Sequence, residues 1–212
     1  MNDRLRLRFE KKGRASYISH LDLMRTLQRA FSRAGYKLRY SEGFNPHAKI
    51  SILLPLSIGT DSECEFLDFF LAEDAELTAM PAVLNHCLPE GITACEVYPA
   101  PGKGAELKWL EVEGRFTDTD KDAEFFSAFF RREELPVLRR TKRGERMENI
   151  APFIYASSFE NTPDGVKAEF TLSAQNPSIN PELCIQALGE AAPGYFKFTR
   201  KECFFENMRI FR

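Results

Sequence analysis

The chain has 212 residues, 43% of them hydrophobic and 28% charged, with a formal net charge of -2; this balance excludes a disordered chain and leaves room for one large core or two modest ones. No apolar run approaches the roughly 18 residues of a membrane-spanning helix, and the opening "MNDRLRLRFEKKG" lacks the apolar core of a secretory signal, so a cytoplasmic protein is expected. The five cysteines are odd in number and widely spaced, with no Cys-x-x-Cys pair. That excludes a disulfide framework, a zinc ribbon and a three-cysteine iron–sulfur signature, so they are expected to be small core residues and no metal or cofactor is expected.

In chain order, "RLRLRFEKKG" alternates Leu5, Leu7 and Phe9 with charged residues, the period-two pattern of a strand with one buried face. "SYISHLDLMRTLQRAFSRAG" then switches to helical period over residues 20–34, with Leu23, Leu27, Ala30, Phe31 and Ala34 on one stripe. Ser19 with Asp22 resembles a capping box, and Gly35 stands where a helix ends in the left-handed conformation. "YKLRY" reads as a second strand, "YSEGFNPH" as a polar loop, and "KISILLPLSIG" as a third strand buried on both faces. "ECEFLDFFLA" is a further strand, "AELTAMPAVLNHCLPEG" a second helix and "ITACEVYPA" a last strand.

"PAPGKGAE" has the Pro and Gly content of a linker. Beyond it the plan repeats, with helices in "KDAEFFSAFFRR" and "NPELCIQALGEAA" and the turn "TPDG" between two strands; Asn180 before Pro181 reads as a helix N-cap. The expected fold class is α+β: two tandem ferredoxin-like (βαββαβ) halves, each an antiparallel sheet with helices on one face. The expected domains are residues 1–101, carrying a basic helix and the GFNPH loop, and 106–212, carrying a basic hairpin loop.

Charge is segregated within the first half. Residues 1–49 hold twelve Lys or Arg and four Asp or Glu, a balance of +8, whereas residues 50–100 hold no Lys or Arg and nine acids, a balance of -9. This predicts a basic face and an acidic face. Arg25, Arg29 and Arg33, at i, i+4 and i+8, form a ridge opposite the apolar stripe, extended by Lys37, Arg39 and Lys49. Beside them Tyr40 and Phe44 offer rings, and Asn45 before Pro46 is held extended. Guanidinium groups pair with phosphate oxygens and rings stack on unpaired bases, so these residues with His47 are candidate nucleic-acid contacts. In the second half "RRTKRGER" adds Arg139, Arg140, Lys142 and Arg143. A catalytic alternative is a metal-independent endoribonuclease with His20 or His47 as general base toward a ribose hydroxyl and Lys49 steadying the phosphate. The sequence has no P-loop, nucleophile elbow or dinucleotide fingerprint, which counts against a self-sufficient enzyme.

"SHLDLMRTLQRAFSRAG" followed by "YSEGFNPHAKISILLPLSIGTDSECEFLDFFL" resembles a bacterial radical-SAM-associated family, domain of unknown function 2344, and the likeness runs along the whole chain. Members stand alone or are fused behind a B12-binding-type radical SAM protein, which implies a radical SAM protein as partner. A second basic motif of that family has an aspartate before Ile-x-Pro; here "TKRGERMENIAP" has Asn149. The expected function is a noncatalytic RNA-binding or substrate-presenting accessory that works with a radical SAM enzyme on RNA or ribosomal substrate. Two alternatives are the endoribonuclease and a protein-interaction adaptor docking through the acidic half. No membrane association is expected.

Overall fold

Alternating apolar and charged side chains decide the first strand, β1 (Leu5–Lys11), in the computed structural model, which describes residues 4–141 and 144–212. Leu5, Leu7 and Phe9 are buried, with Leu7 and Phe9 fully so. The chain is a mixed α+β protein with mostly antiparallel strands and few helices. It divides into one unit through Gly104, joined by Arg212, and a second unit, Ala105–Phe211. No helix among the described residues is long and apolar enough to cross a membrane.

In the first unit β1 is followed by α1 (His20–Arg33), β2 (Ile50–Ile52), β3 (Asp61–Phe69), α2 (Met80–Asn85) and β4 (Ile92–Pro99). The strands lie in the order β4-β1-β3-β2, every pairing antiparallel. The helical stripe is buried as expected at Leu23, Leu27, Ala30 and Phe31, in a core shared with Leu67 and Phe69 of β3 and Met80 and Leu84 of α2. Ser19 Oγ accepts the Asp22 N–H at 3.1 Å and closes the helix start, while Gly35, at φ 81°, ends it.

Two elements are shorter than the sequence suggests. The apolar run after Lys49 gives only three strand residues, paired Ile50↔Phe69 to Ile52↔Leu67, with Ser51 exposed; it is not a strand buried on both faces. Past Ile52 the Leu53 N–H still donates to the Phe66 carbonyl at 3.0 Å, and Pro55, two residues further on, supplies no ladder N–H. Helix α2 covers six residues, fewer than its apolar pattern suggests.

The charge blocks also resolve differently from two opposed faces. Cross-strand pairing sets the basic strand β1 against the acidic strand β3. Arg6 sits opposite Asp68, with Nε donating to Oδ1 at 2.6 Å and Nη2 to Oδ2 at 3.1 Å, and Lys12 lies 3.3 Å from Glu63. Arg6 and Lys11 are buried, so these cations belong to the fold. Arg4 and Arg6 both donate to the Gly102 carbonyl, pinning the glycine-rich segment onto this sheet.

The second unit contains β5 (Trp109–Thr117), α3 (Ala123–Phe130), β6 (Pro136–Thr141), β7 (Gly144–Asn149), β8 (Ile154–Thr162), β9 (Gly165–Ser173), α4 (Glu182–Leu188) and β10 (Tyr195–Phe204). Its main sheet runs β10-β5-β9-β8, and β6 pairs with β7 as a separate hairpin. Asp122 caps α3 by accepting the Phe125 N–H at 2.9 Å, and Phe126 and Phe130 pack on Phe116, Phe159 and Phe170. The "TPDG" turn joins Thr162 to Gly165, whose φ of 142° and closeness to the Phe116 carbonyl admit only glycine. Of the cysteines, Cys64, Cys184 and Cys203 are buried as expected, and burial pushes the Cys184 thiol up to about 12; Cys95 is exposed.

Candidate functional site

Helix α1 buries one stripe and leaves the opposite one open. Arg25, Gln28, Arg29 and Ser32, spaced i, i+3, i+4 and i+7, share a face. They form one wall of a cleft of about 830 Å³ whose other wall is the returning chain at Gly35, Tyr36, Lys37, Leu38 and Tyr40, with Ala72 beside it. That second wall is fixed from a distance in sequence. Leu38 bridges Leu71, the Arg39 N–H donates to the Phe70 carbonyl at 2.8 Å and the Ala72 N–H to the Lys37 carbonyl at 2.8 Å.

Within the cleft Arg25 Nη1 lies 3.3 Å from Asp22 and Lys37 Nζ lies 2.7 Å from Glu73. The Glu73 hydrogen bond and charge raise the Lys37 pKa, keeping it protonated. Arg29 has no ion-pair partner among the described residues. Tyr40 is half exposed, and its hydroxyl accepts from Gln28 Nε2 at 3.1 Å, which fixes the ring against the helix.

The predicted loop follows directly. Tyr40 bridges Ala48, and the neck of residues 41–47 is closed by Ser41 and His47. The Ser41 N–H donates to the His47 carbonyl at 2.8 Å, the His47 N–H donates to Ser41 Oγ at 3.1 Å, and that oxygen is 2.9 Å from His47 Nδ1. Gly43, at φ 118°, allows the reversal, and Phe44 stands fully exposed. Asn45, His47 and Lys49 are exposed, and Arg39 is half-buried. His20 is the exposed first residue of α1.

The structure thus brings Arg25, Arg29, Lys37 and Tyr40 together around one cleft, while Phe44, Asn45, His47 and Lys49 lie on the adjoining loop outside its lining. Arg33 is exposed but points elsewhere: its Nη2 donates to the Cys87 carbonyl at 2.7 Å, just beyond α2. Gln28, Ser32 and Tyr36 are lining residues that the arginine spacing did not single out. The helical period could have given the first two; Tyr36 required the fold.

A family model described as an uncharacterized protein conserved in bacteria, domain of unknown function 2344, matches residues 4–193. The chain belongs to this family. No curated protein matches it.

The basic motif that this family member carries in its second unit is a paired hairpin with its charges largely matched. Arg139 is 2.7 Å from Glu148, Arg146 is 2.9 Å from the same carboxylate, and Arg140 is 2.7 Å from Glu145. Lys142 and Arg143 lie outside the described residues. Arg139 and Arg140 line a separate hollow of about 410 Å³ with Leu138, Asn180, Leu183 and Gln186. Asn180 Oδ1 accepts the Glu182 N–H at 3.2 Å, but the N-cap position of α4 is Pro181, one residue later than the sequence suggests.

Asn149 closes the hairpin neck. Its Oδ1 accepts from the Leu135 N–H at 2.8 Å and the Ala151 N–H at 3.1 Å, and its Nδ2 donates to the Glu133 carbonyl at 2.9 Å. An aspartate could accept both N–H groups but could not make the third bond. Asn149→Leu, which strands two part-buried donors, is expected to destabilise by about 1–3 kcal/mol. Asn149→Asp is expected to cost less, about 0.5–1.5 kcal/mol. Urea unfolding of the two variants checks the ranking; equal losses would show that shape at this position, not hydrogen bonding, holds the neck.

Proposed function

We propose that the protein is a noncatalytic RNA-binding or substrate-presenting accessory that works with a radical SAM enzyme on RNA or ribosomal substrate. The observation that carries the RNA part is the cleft of the first unit: three cations and two tyrosines converge on one concavity beside the fully exposed Phe44. Phosphate oxygens take guanidinium and ammonium donors, and bases stack on aromatic faces, so this is the donor and ring set a single strand needs. Arg25 and Lys37 each have a nearby carboxylate, but Arg29 has no ion-pair partner among the described residues, whereas Arg6 of β1 faces Asp68 and the described arginines of the hairpin pair with Glu145 and Glu148. The radical SAM partner rests on the family resemblance. We further read each unit as a ferredoxin-like βαββαβ half, the second carrying β6 and β7 as an insertion. The strand orders β4-β1-β3-β2 and β10-β5-β9-β8 support that reading.

The test is a titration of a short single-stranded RNA at several salt concentrations. Affinity is expected to fall with salt, its logarithmic slope roughly -0.7 per phosphate contact. Phe44→Ala is expected to cost about 1–3 kcal/mol while leaving that slope unchanged, because stacking releases no counterions. Should the parent chain fail to bind at moderate salt, or should arginine and Phe44 variants all bind like the parent, the adaptor reading through the acidic half replaces this one.

A further inference from the structure

The cleft holds three cations but only one unmatched charge. Asp22 stands 3.3 Å from Arg25 and Glu73 stands 2.7 Å from Lys37, while Arg29, between them on the same helical face as Arg25, has no ion-pair partner among the described residues. We infer that the cleft receives one internal phosphodiester of a single-stranded RNA on Arg29, with an adjacent base over Tyr40, and that Asp22 and Glu73 tune it against doubly charged terminal phosphates. This rests on the RNA reading above and specifies its ligand.

Charge supports the match. An internal phosphodiester carries a single negative charge, whereas a phosphomonoester carries about -1.5 to -2 near neutral pH. A terminal phosphate would need a second cation, and either Arg25 or Lys37 would have to leave its carboxylate to supply it. Size supports it too. About 830 Å³ lies within the range of small-ligand sites, roughly 300–1,000 Å³, enough for a nucleotide-sized portion of a strand. Duplex RNA is instead read by shape across successive minor grooves, over about 16 base pairs, and has no unstacked base to offer. Tyr40 completes the site because Gln28 holds its hydroxyl at 3.1 Å, leaving a ring that is half exposed and already positioned. Stacking on such a ring is tolerant of base identity, since every base has a π-face.

The test compares three probes by fluorescence anisotropy: a pentauridylate with a free 5′-hydroxyl, the same oligomer with a 5′-phosphate, and a duplex RNA of similar charge per strand. The full chain is expected to bind both pentamers equally and the duplex more weakly. Arg29→Gln should weaken pentamer binding about tenfold, as loss of a charge-assisted hydrogen bond does, and flatten the salt slope by roughly 0.7. Glu73→Gln should do the reverse. It frees Lys37 and should tighten binding of the 5′-phosphorylated pentamer about threefold or more, the size of a close charge interaction in a solvated site. Both positions are exposed, and a gain in affinity cannot come from misfolding. If the parent already prefers the 5′-phosphate, if Glu73→Gln gains nothing, or if Arg29→Gln binds like the parent, this assignment is wrong while RNA binding stands. If the parent binds none of the probes at low salt, the RNA reading itself fails and this inference with it.

Discussion

Arg6→Ala is expected to lower the unfolding free energy of the chain by about 3–5 kcal/mol, the range for removing one partner of a buried ion pair. Arg6 has no exposed surface, and Asp68 is only 6% exposed. The guanidinium makes a two-pronged contact with that carboxylate and also donates to the Gly102 carbonyl at 3.0 Å. Truncation leaves the Asp68 charge in a site that excludes water, with Arg4, at 3.3 Å and partly exposed, as the nearest remaining cation. The loss therefore comes mostly from the stranded carboxylate, so removing both charges is expected to be far milder. Arg6→Met combined with Asp68→Leu should recover most of the stability, because a buried ion pair and a packed apolar pair are often close in free energy. Urea unfolding of the parent, the single variant and the double variant decides this. A loss below about 1 kcal/mol in Arg6→Ala, typical of a surface pair, would mean that water reaches Asp68 and that the pinning of Gly102 contributes little.

The same pair shows where the sequence could and could not be read. Strand β1 and helix α1 were legible because their signals are local: alternation over seven residues, a 3.6-residue stripe, and a serine three residues before Asp22. The segregated charges misled because their partners lie far apart in the chain. Arg6 and Asp68 are 62 residues apart, and only the β1/β3 register reveals that a cation of the basic block is matched by an acid of the acidic one. The apolar run after Lys49 suggests a long strand because burial-prone residues continue well past Ile52, where the strand ends. The cleft was half legible. Its helical wall follows from the spacing of Arg25, Gln28, Arg29 and Ser32, but its other wall exists because Leu38 bridges Leu71, a contact no local pattern announces. Arg33 belongs to the same periodic ridge as Arg29, yet the backbone carbonyl of Cys87 draws it away.

Phe31→Ala is expected to cost about 3–5 kcal/mol, the range for emptying a large buried aromatic site, and to damage the cleft as well as the core. Phe31 is fully buried on α1, and its ring centre lies 4.8 Å from that of Phe69 in β3 and 6.4 Å from that of Tyr36 in the cleft wall. It joins the sheet, the helix and the returning segment. Removing the ring takes support from Tyr36, although the hydrogen bond from the Tyr36 N–H to the Phe31 carbonyl, at 2.9 Å, remains. Phe31→Leu keeps an apolar side chain against Phe69 and is expected to lose less of both stability and RNA affinity. Arg29→Gln gives the opposite pattern, because an exposed arginine contributes to the ligand rather than to the fold: affinity should fall while the unfolding free energy stays within about 0.5 kcal/mol of the parent. Measuring urea unfolding and pentauridylate affinity on the three variants separates support from contact. If Phe31→Ala lowers stability by the expected amount yet binds RNA as tightly as the parent, Tyr36 takes no part in binding, and the site reduces to Arg29, Tyr40 and the loop that follows.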